Sequence, residues 1–526
     1  MPPQPPSHDD ATDPAAPGAA ERHMARGAFA QQAAMTTGLL IMLVVVTVLG
    51  RSLTLSEFGL YGLALSVAAY VLIVQYSVEG AAVRAIAGAP DASSRDALFS
   101  TALVVYATLG VGSAVAIVVA GSGLSGVLGI PDELRDEARR AFLALGAVTA
   151  AGWPMKACQD ALRGTQRFGL AAMGEIVAYL LFGALMAAAI VLDAPLWTLI
   201  AIGGSLSALI GMVCMVVLVT VRGGPRLRPR LVTRARIGDL LGVSAGLFVG
   251  GAADLFIYSS DRVILAAFRS AATVGLYEAA VRAHNILRQM HGTLVLTVTP
   301  VASAYIASAD EARLRELLLR GTRYVMAAVV PLTVVLMVLA GPILEVWLGE
   351  KFRPAAAALA ILCGYWLVGS STGVAGAMLV AAGKIRELAQ FAWQVAITNL
   401  VLSLALTPLL GLEGVVLGTT IPYVLMFPIF LRIVLRTFPA VSVRDLVREA
   451  WLPAYAGAAV LAVALVVLRV AFELDTLAAV LGAGVAGLAL YWGSYYLVWL
   501  RPGERVLVRS FLGLHGPSAS GAGAGG

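Results

Sequence analysis

Charge is what this sequence has least of. Only 13% of its 526 residues are Asp, Glu, Lys or Arg, against about a quarter in an average soluble domain. A chain this long with so little charge cannot cover itself for water, which excludes an ordinary soluble enzyme. Cysteine is scarce as well: Cys158, Cys214 and Cys363 each lie in or beside an apolar run, without ligand-like spacing. That pattern excludes a disulfide frame or a metal set and leaves three small hydrophobes. There is no Gly-rich phosphate loop, no His-rich cluster and no nucleophile with a partner base, so no motif calls for a cofactor or a metal. The segments between apolar runs are short. They leave no room for an ATPase domain, or for the large outer loop on which membrane glycosyltransferases usually carry their acidic catalytic residues. The net charge of +6 and pI near 9.3 come without a basic, aromatic-interleaved soluble domain, which excludes nucleic acid as a partner.

What the sequence has instead is length of apolar run. With 59% hydrophobic residues and a mean hydropathy of +0.87, it reads as an all-α polytopic membrane protein whose partner is the lipid bilayer. Fourteen stretches reach the roughly 20 residues a helix needs to cross the hydrocarbon. Their centres fall near Met42, Ala69, Leu109, Val148, Phe182, Ser207, Val249, Ile286, Leu332, Val368, Val401, Leu425, Ala462 and Leu488.

Orientation follows from the basic residues, since Lys and Arg in short loops stay on the cytoplasmic side. With the N-terminus inside, nine fall outside: Arg51, Arg135, Arg139, Arg140, Arg262, Arg269, Lys351, Arg353 and Arg469. Arg282 and Arg288 lie within the eighth span, and the remaining 26 of 37 are cytoplasmic. Both termini are then cytoplasmic.

Internal similarity recurs at nearly one offset. Phe58-Gly59-Leu60-Tyr61 returns as Val274-Gly275-Leu276-Tyr277, Val127-Leu128-Gly129 as Trp347-Leu348-Gly349, and Gly164 with Arg167 as Gly383 with Arg386. Such spacing implies a duplication of six spans, with two lobes in pseudo-twofold arrangement around a central path. The expected layout is a disordered cytoplasmic tail at 1–27, an N-terminal six-helix lobe at 28–222 and a basic cytoplasmic linker at 223–238. A C-terminal six-helix lobe follows at 239–438, then two additional transmembrane helices at 439–513 and a disordered tail at 514–526.

The polar chemistry concentrates between Leu240 and Ser308. Asp254, Tyr258 and Asp261 share one face of the seventh span; Glu278, Arg282, Asn285 and Gln289 form one stripe of the eighth, and His284, Arg288 and His291 an adjoining one. Charges at bilayer depth cost several kcal/mol unless they meet a partner or a wet cavity. Two readings follow. Arg282, Arg288, His284, His291 and Asn285 line a substrate cavity, the guanidinium forks suiting phosphate; or the charges form internal ion pairs, Glu278 with Arg282 and Asp254 with either arginine. Lys156 with Asp160 reads as a local pair, and Glu79 and Glu175 as cavity rim or interhelical hydrogen bonds.

A family resemblance is carried by Leu55-Ser56-Glu57-Phe58-Gly59-Leu60-Tyr61, Ala81-Ala82-Val83-Arg84, Asp261-Arg262-Val263-Ile264-Leu265 before Val274-Gly275-Leu276-Tyr277, Leu348-Gly349, and Gly411-Leu412-Glu413-Gly414. In this order and spacing, from about Met35 to Leu500, the chain resembles polysaccharide-biosynthesis flippases of the Wzx type, within the multidrug, oligosaccharidyl-lipid and polysaccharide exporters. The resemblance implies a two-lobed bundle in a bacterial cytoplasmic membrane. Such a bundle turns an undecaprenyl-diphosphate-linked glycan to the outer leaflet by alternating access, alongside polysaccharide polymerase and chain-length machinery. The resemblance also implies that the acidic Asp254, Glu278 and Asp261 couple a proton or sodium ion or serve as structural pairs. A MATE-like multidrug or cation antiporter, a lipid II flippase and a membrane glycosyltransferase are the competing readings.

Overall fold

The computed structural model describes residues 19–124, 130–500 and 502–511. Most of both expected tails lies outside the described residues, and so do the side chains of 246–247 and 249–258, Asp254 among them. The chain is all-α and falls into two compact units: residues 63–126 and 130–252 with the N-terminal segment up to Ser52, and residues 253–526 with 53–62.

The first unit holds α1 (Ala19–Ser52), most of α2 (Leu55–Ala87), α3 (Ala92–Leu124), α4 (Arg135–Gly164), α5 (Phe168–Val191), α6 (Leu196–Gly204), α7 (Leu206–Thr220) and the first part of α8 (Arg234–Phe268). α1 starts inside the stretch expected to be tail, where Ala, Glu, Arg and Met favour helix. Asp91 caps α3: its carboxylate accepts the Ser94 N–H at 2.7 Å, which holds the acid below its usual range. α6 and α7 meet at 53° and read together as one broken span. The core packs Val78, Ala81, Tyr106, Trp153, Ala157, Leu162 and Cys214 from four helices. All three cysteines are free and buried. The basic linker is strapped to the start of α3: Arg226 and Arg228 donate backbone N–H groups to Asp96 and Ser100, each at 2.8 Å.

The second unit continues with α9 (Ala271–Val295), α10 (Val298–Ala307), α11 (Glu311–Val338), α12 (Ala340–Leu348), α13 (Ala356–Gly369), α14 (Gly373–Ala381), α15 (Ile385–Leu410), α16 (Leu412–Thr437), α17 (Val443–Leu446), α18 (Leu452–Ala471), α19 (Leu477–Val498) and α20 (Pro502–Phe511). α18 and α19 pack on α11 through Met326, Val330, Ala454, Leu461, Leu465 and Tyr491. Glu504 of α20 pairs with Arg323 and accepts from Tyr324 at 2.7 Å, which ties the last described helix back to α11.

Twelve described helices are long and apolar enough to span a bilayer, thirteen with the broken α6–α7 pair. α8 has the length of a further span, and all fourteen expected centres lie in helices. Outward faces are apolar: Val191, Leu409 and Val470 are 81%, 77% and 83% exposed. Side chains of this kind in such number require lipid contact. The protein is a multi-pass membrane protein.

In the second unit the start of α2 crosses α9 backbone to backbone. A β-carbon on Gly59 would run into the carbonyl of Ala271 and lie 2.9 Å from Gly275 N, and one on Gly275 would meet the Leu55 carbonyl. Only glycine permits this approach. The two similar tetrapeptides thus touch through their glycines.

Candidate functional site

Among the described residues, three polar clusters inside the helices bear on function. The first is built on α9. Its N-terminus is capped by Ser270, whose hydroxyl accepts the Thr273 N–H. Glu278, 2% exposed, receives Arg262 Nε on one oxygen and Arg282 Nη2 on the other, both at 2.7 Å. Two guanidinium groups share one carboxylate, so the cluster keeps one positive charge. Arg262 also lies over the Tyr277 ring and Arg282 over that of Tyr61. Arg282 Nε has no hydrogen-bond partner. One and two turns on, Asn285 is half-buried and Arg288 exposed.

The two histidines of this helix turn elsewhere. His284 is buried and its Nε2 accepts from Trp366 Nε1 at 2.9 Å. His291 lies against the same indole with ring centres 4.9 Å apart. Together they seat α9 on α13.

The second cluster surrounds Asp261, which is fully buried. Tyr277 and Thr419 hydroxyls donate to one carboxylate oxygen at 2.8 and 2.6 Å, and Ser403 approaches the other at 3.5 Å. Asn399, one turn before Ser403 on α15, donates to Thr419 at 2.9 Å and leaves its Oδ1 buried without a partner. α8, α9, α15 and α16 thus converge on one carboxylate rich in oxygen neighbours. Sequence reasoning singled out Asp261 and missed the rest. The signal was present: Asn399, Ser403 and Thr407 repeat every four residues along α15.

The third cluster, in the first unit, is larger than the local pair expected there. Lys156 does meet Asp160 at 3.2 Å, but it also meets Glu79 at 2.8 Å. Arg163 bridges Glu79 and Glu175. Gln159 Nε2 donates to Glu175 at 2.8 Å, and Tyr106 hydroxyl to Asp160 at 2.6 Å. Lys156, Gln159, Asp160 and Arg163 follow i, i+3, i+4, i+7 spacing, which puts them on one face of α4. That spacing is legible in the sequence; which of the interhelical partners Glu79 and Glu175 each cation meets is not. The network lines a cavity of about 660 Å³ together with Tyr76, Trp153 and Tyr179.

This multi-helix membrane fold, here with buried, paired charges, is shared with solved structures. The chain is similar to the lipid II flippase MurJ in an inward closed conformation, with TM-score 0.70 and 12% identity over 91% of this chain and 99% of that one. It is also similar to an inward-facing multidrug resistance MATE family transporter of the MOP superfamily, with TM-score 0.65 and 16% identity over 77% and 96%. At these identities the likeness shows a common fold. No curated protein matches the chain in sequence. The sequence pattern of the polysaccharide biosynthesis protein family, however, matches residues 48–357, and the chain belongs to that family.

Proposed function

We propose that this protein is a flippase of the Wzx type, moving an undecaprenyl-diphosphate-linked oligosaccharide across the bacterial cytoplasmic membrane by alternating access. The product served is a surface polysaccharide: O-antigen, exopolysaccharide or capsule. The observation that carries this reading is the cationic excess around α9, where Arg262 of α8 and Arg282 share Glu278 and Arg288 stands exposed two turns from the triad. A diphosphate is the substrate group that planar guanidinium forks fit best. Arg282 and Arg288 are its contacts, with Asn285 beside them, and His284 and His291 hold the helix in place through Trp366. The family description supports the polysaccharide side of the reading.

Energy coupling falls to Asp261. Its buried carboxylate, the Ser403 and Thr419 hydroxyls and the free Asn399 Oδ1 form the kind of oxygen set that a proton or a sodium ion would use. Complementation of surface-polysaccharide export, scored beside immunoblot abundance, tests both assignments. Arg288→Ala is expected to lose most export at normal abundance, and Arg288→Lys, which keeps charge without the fork, to retain part of it. Asp261→Asn is expected to remove the dependence on the ion gradient while substrate still binds. Wild-type export from Arg288→Ala at normal abundance would end the diphosphate assignment.

The cytoplasmic placement of both termini and of the linker rests on the positive-inside count. Because the native cysteines are buried, a single cysteine introduced at Arg230 should react with an impermeant maleimide only in opened cells; reaction in intact cells would reverse the orientation. One observation favours a second reading. The extensive structural match to the lipid II flippase makes lipid II the rival cargo, and depletion separates the two: loss of surface polysaccharide with normal division supports the first, lysis at division the second.

A further inference from the structure

We propose that the cavity of the first unit binds the neutral, polyhydroxylated glycan of the substrate, separately from its diphosphate; the inference rests on the reading above that the cargo is a lipid-linked oligosaccharide. The cavity is poorly suited to an anion. Lys156 is already held by Glu79 and Asp160, and Arg163 by Glu79 and Glu175, so three carboxylates face two cations. A sugar hydroxyl is suited to such a wall, because it donates and accepts at the same oxygen and can bridge a carboxylate and a neighbouring cation.

An independent observation marks a vacant hydrogen-bonding position. Gln159 is 2% exposed and lines the cavity; its Nε2 is used by Glu175, but its Oε1 has no partner. A buried acceptor left unpaired is costly and uncommon, and a ligand hydroxyl would complete it. Tyr76, 61% exposed, with the half-buried Tyr179 adds flat apolar surface with polar edges to the same wall, matching the apolar face and hydroxyl rim of a pyranose. The volume, about 660 Å³, lies within the range of small-molecule sites.

Binding of two probes to the purified full-length chain, followed by native mass spectrometry, tests this. One probe is undecaprenyl diphosphate; the other is the lipid-linked oligosaccharide extracted from the cells that make it. The wild type is expected to bind the glycosylated probe more tightly. Tyr76→Ala and Gln159→Met should each weaken that binding about tenfold and leave undecaprenyl diphosphate binding unchanged. Tyr76 is exposed, so its truncation keeps the fold, and a wild-type melting temperature serves as control for Gln159→Met. Equal losses for both probes, or no loss for either, would overturn the glycan site and identify the cavity as a structural one. A wild type that binds neither probe would overturn the proposed function itself.

Discussion

Glu278→Ala is expected to destabilise the protein by about 3–5 kcal/mol, the usual cost of leaving a buried charge without its partner. Glu278 is the shared counter-ion of Arg262 and Arg282, whose side chains are 13% and 20% exposed. Removing it leaves two guanidinium groups facing each other with little water to screen them. The result should appear as a sharp fall in detergent melting temperature and in membrane abundance. Arg262→Met in the same chain should restore only part of the loss, since it removes one of the two guanidinium groups and leaves Arg282 without its carboxylate. A melting temperature for Glu278→Ala equal to that of the wild type would show that the triad carries no such charge burden.

Leucine at Gly59 or Gly275 is expected to cost about 1–3 kcal/mol or more, the range for overpacking a dense interior. Here the obstruction is backbone. A side chain on Gly59 meets the Ala271 carbonyl and one on Gly275 meets that of Leu55, so no rotamer change relieves it and the helices must part. Export should fall with stability, and even alanine should be felt at both positions. Leucine at Gly88, just past the far end of α2, whose β-carbon would meet only ordinary contacts from 3.5 Å, should be tolerated. Equal stability of Gly59→Leu and Gly88→Leu would contradict the crossing.

These two sites also show what the sequence could and could not reveal. Each span was legible because a twenty-residue apolar run has few alternatives in a membrane protein. The similarity between Phe58-Gly59-Leu60-Tyr61 and Val274-Gly275-Leu276-Tyr277 was legible too, yet nothing in either copy says that their glycines meet. Glu278 with Arg282 is an i, i+4 pair and could be read directly; Arg262 as a second partner could not, because it belongs to another helix. The same limit hid the network of the first unit. Arg163 reaches Glu79 across 84 residues of sequence, and reading one helix at a time reduced Lys156 and Asp160 to a local pair. Polar stripes, at Lys156 to Arg163 and at Asn399 to Thr407, were the available signals for both clusters.

Transport of the lipid-linked oligosaccharide in purified proteoliposomes tests the central claim most directly. The vesicles carry the extracted lipid-linked oligosaccharide in both leaflets, and an impermeant lectin reports how much of its glycan becomes accessible from outside over time. Wild-type protein should raise the accessible fraction beyond the outer-leaflet share when an ion gradient is imposed, while Arg288→Ala vesicles should stay with protein-free ones. Wild-type vesicles that never depart from protein-free vesicles, or Arg288→Ala vesicles that match the wild type, would contradict the account.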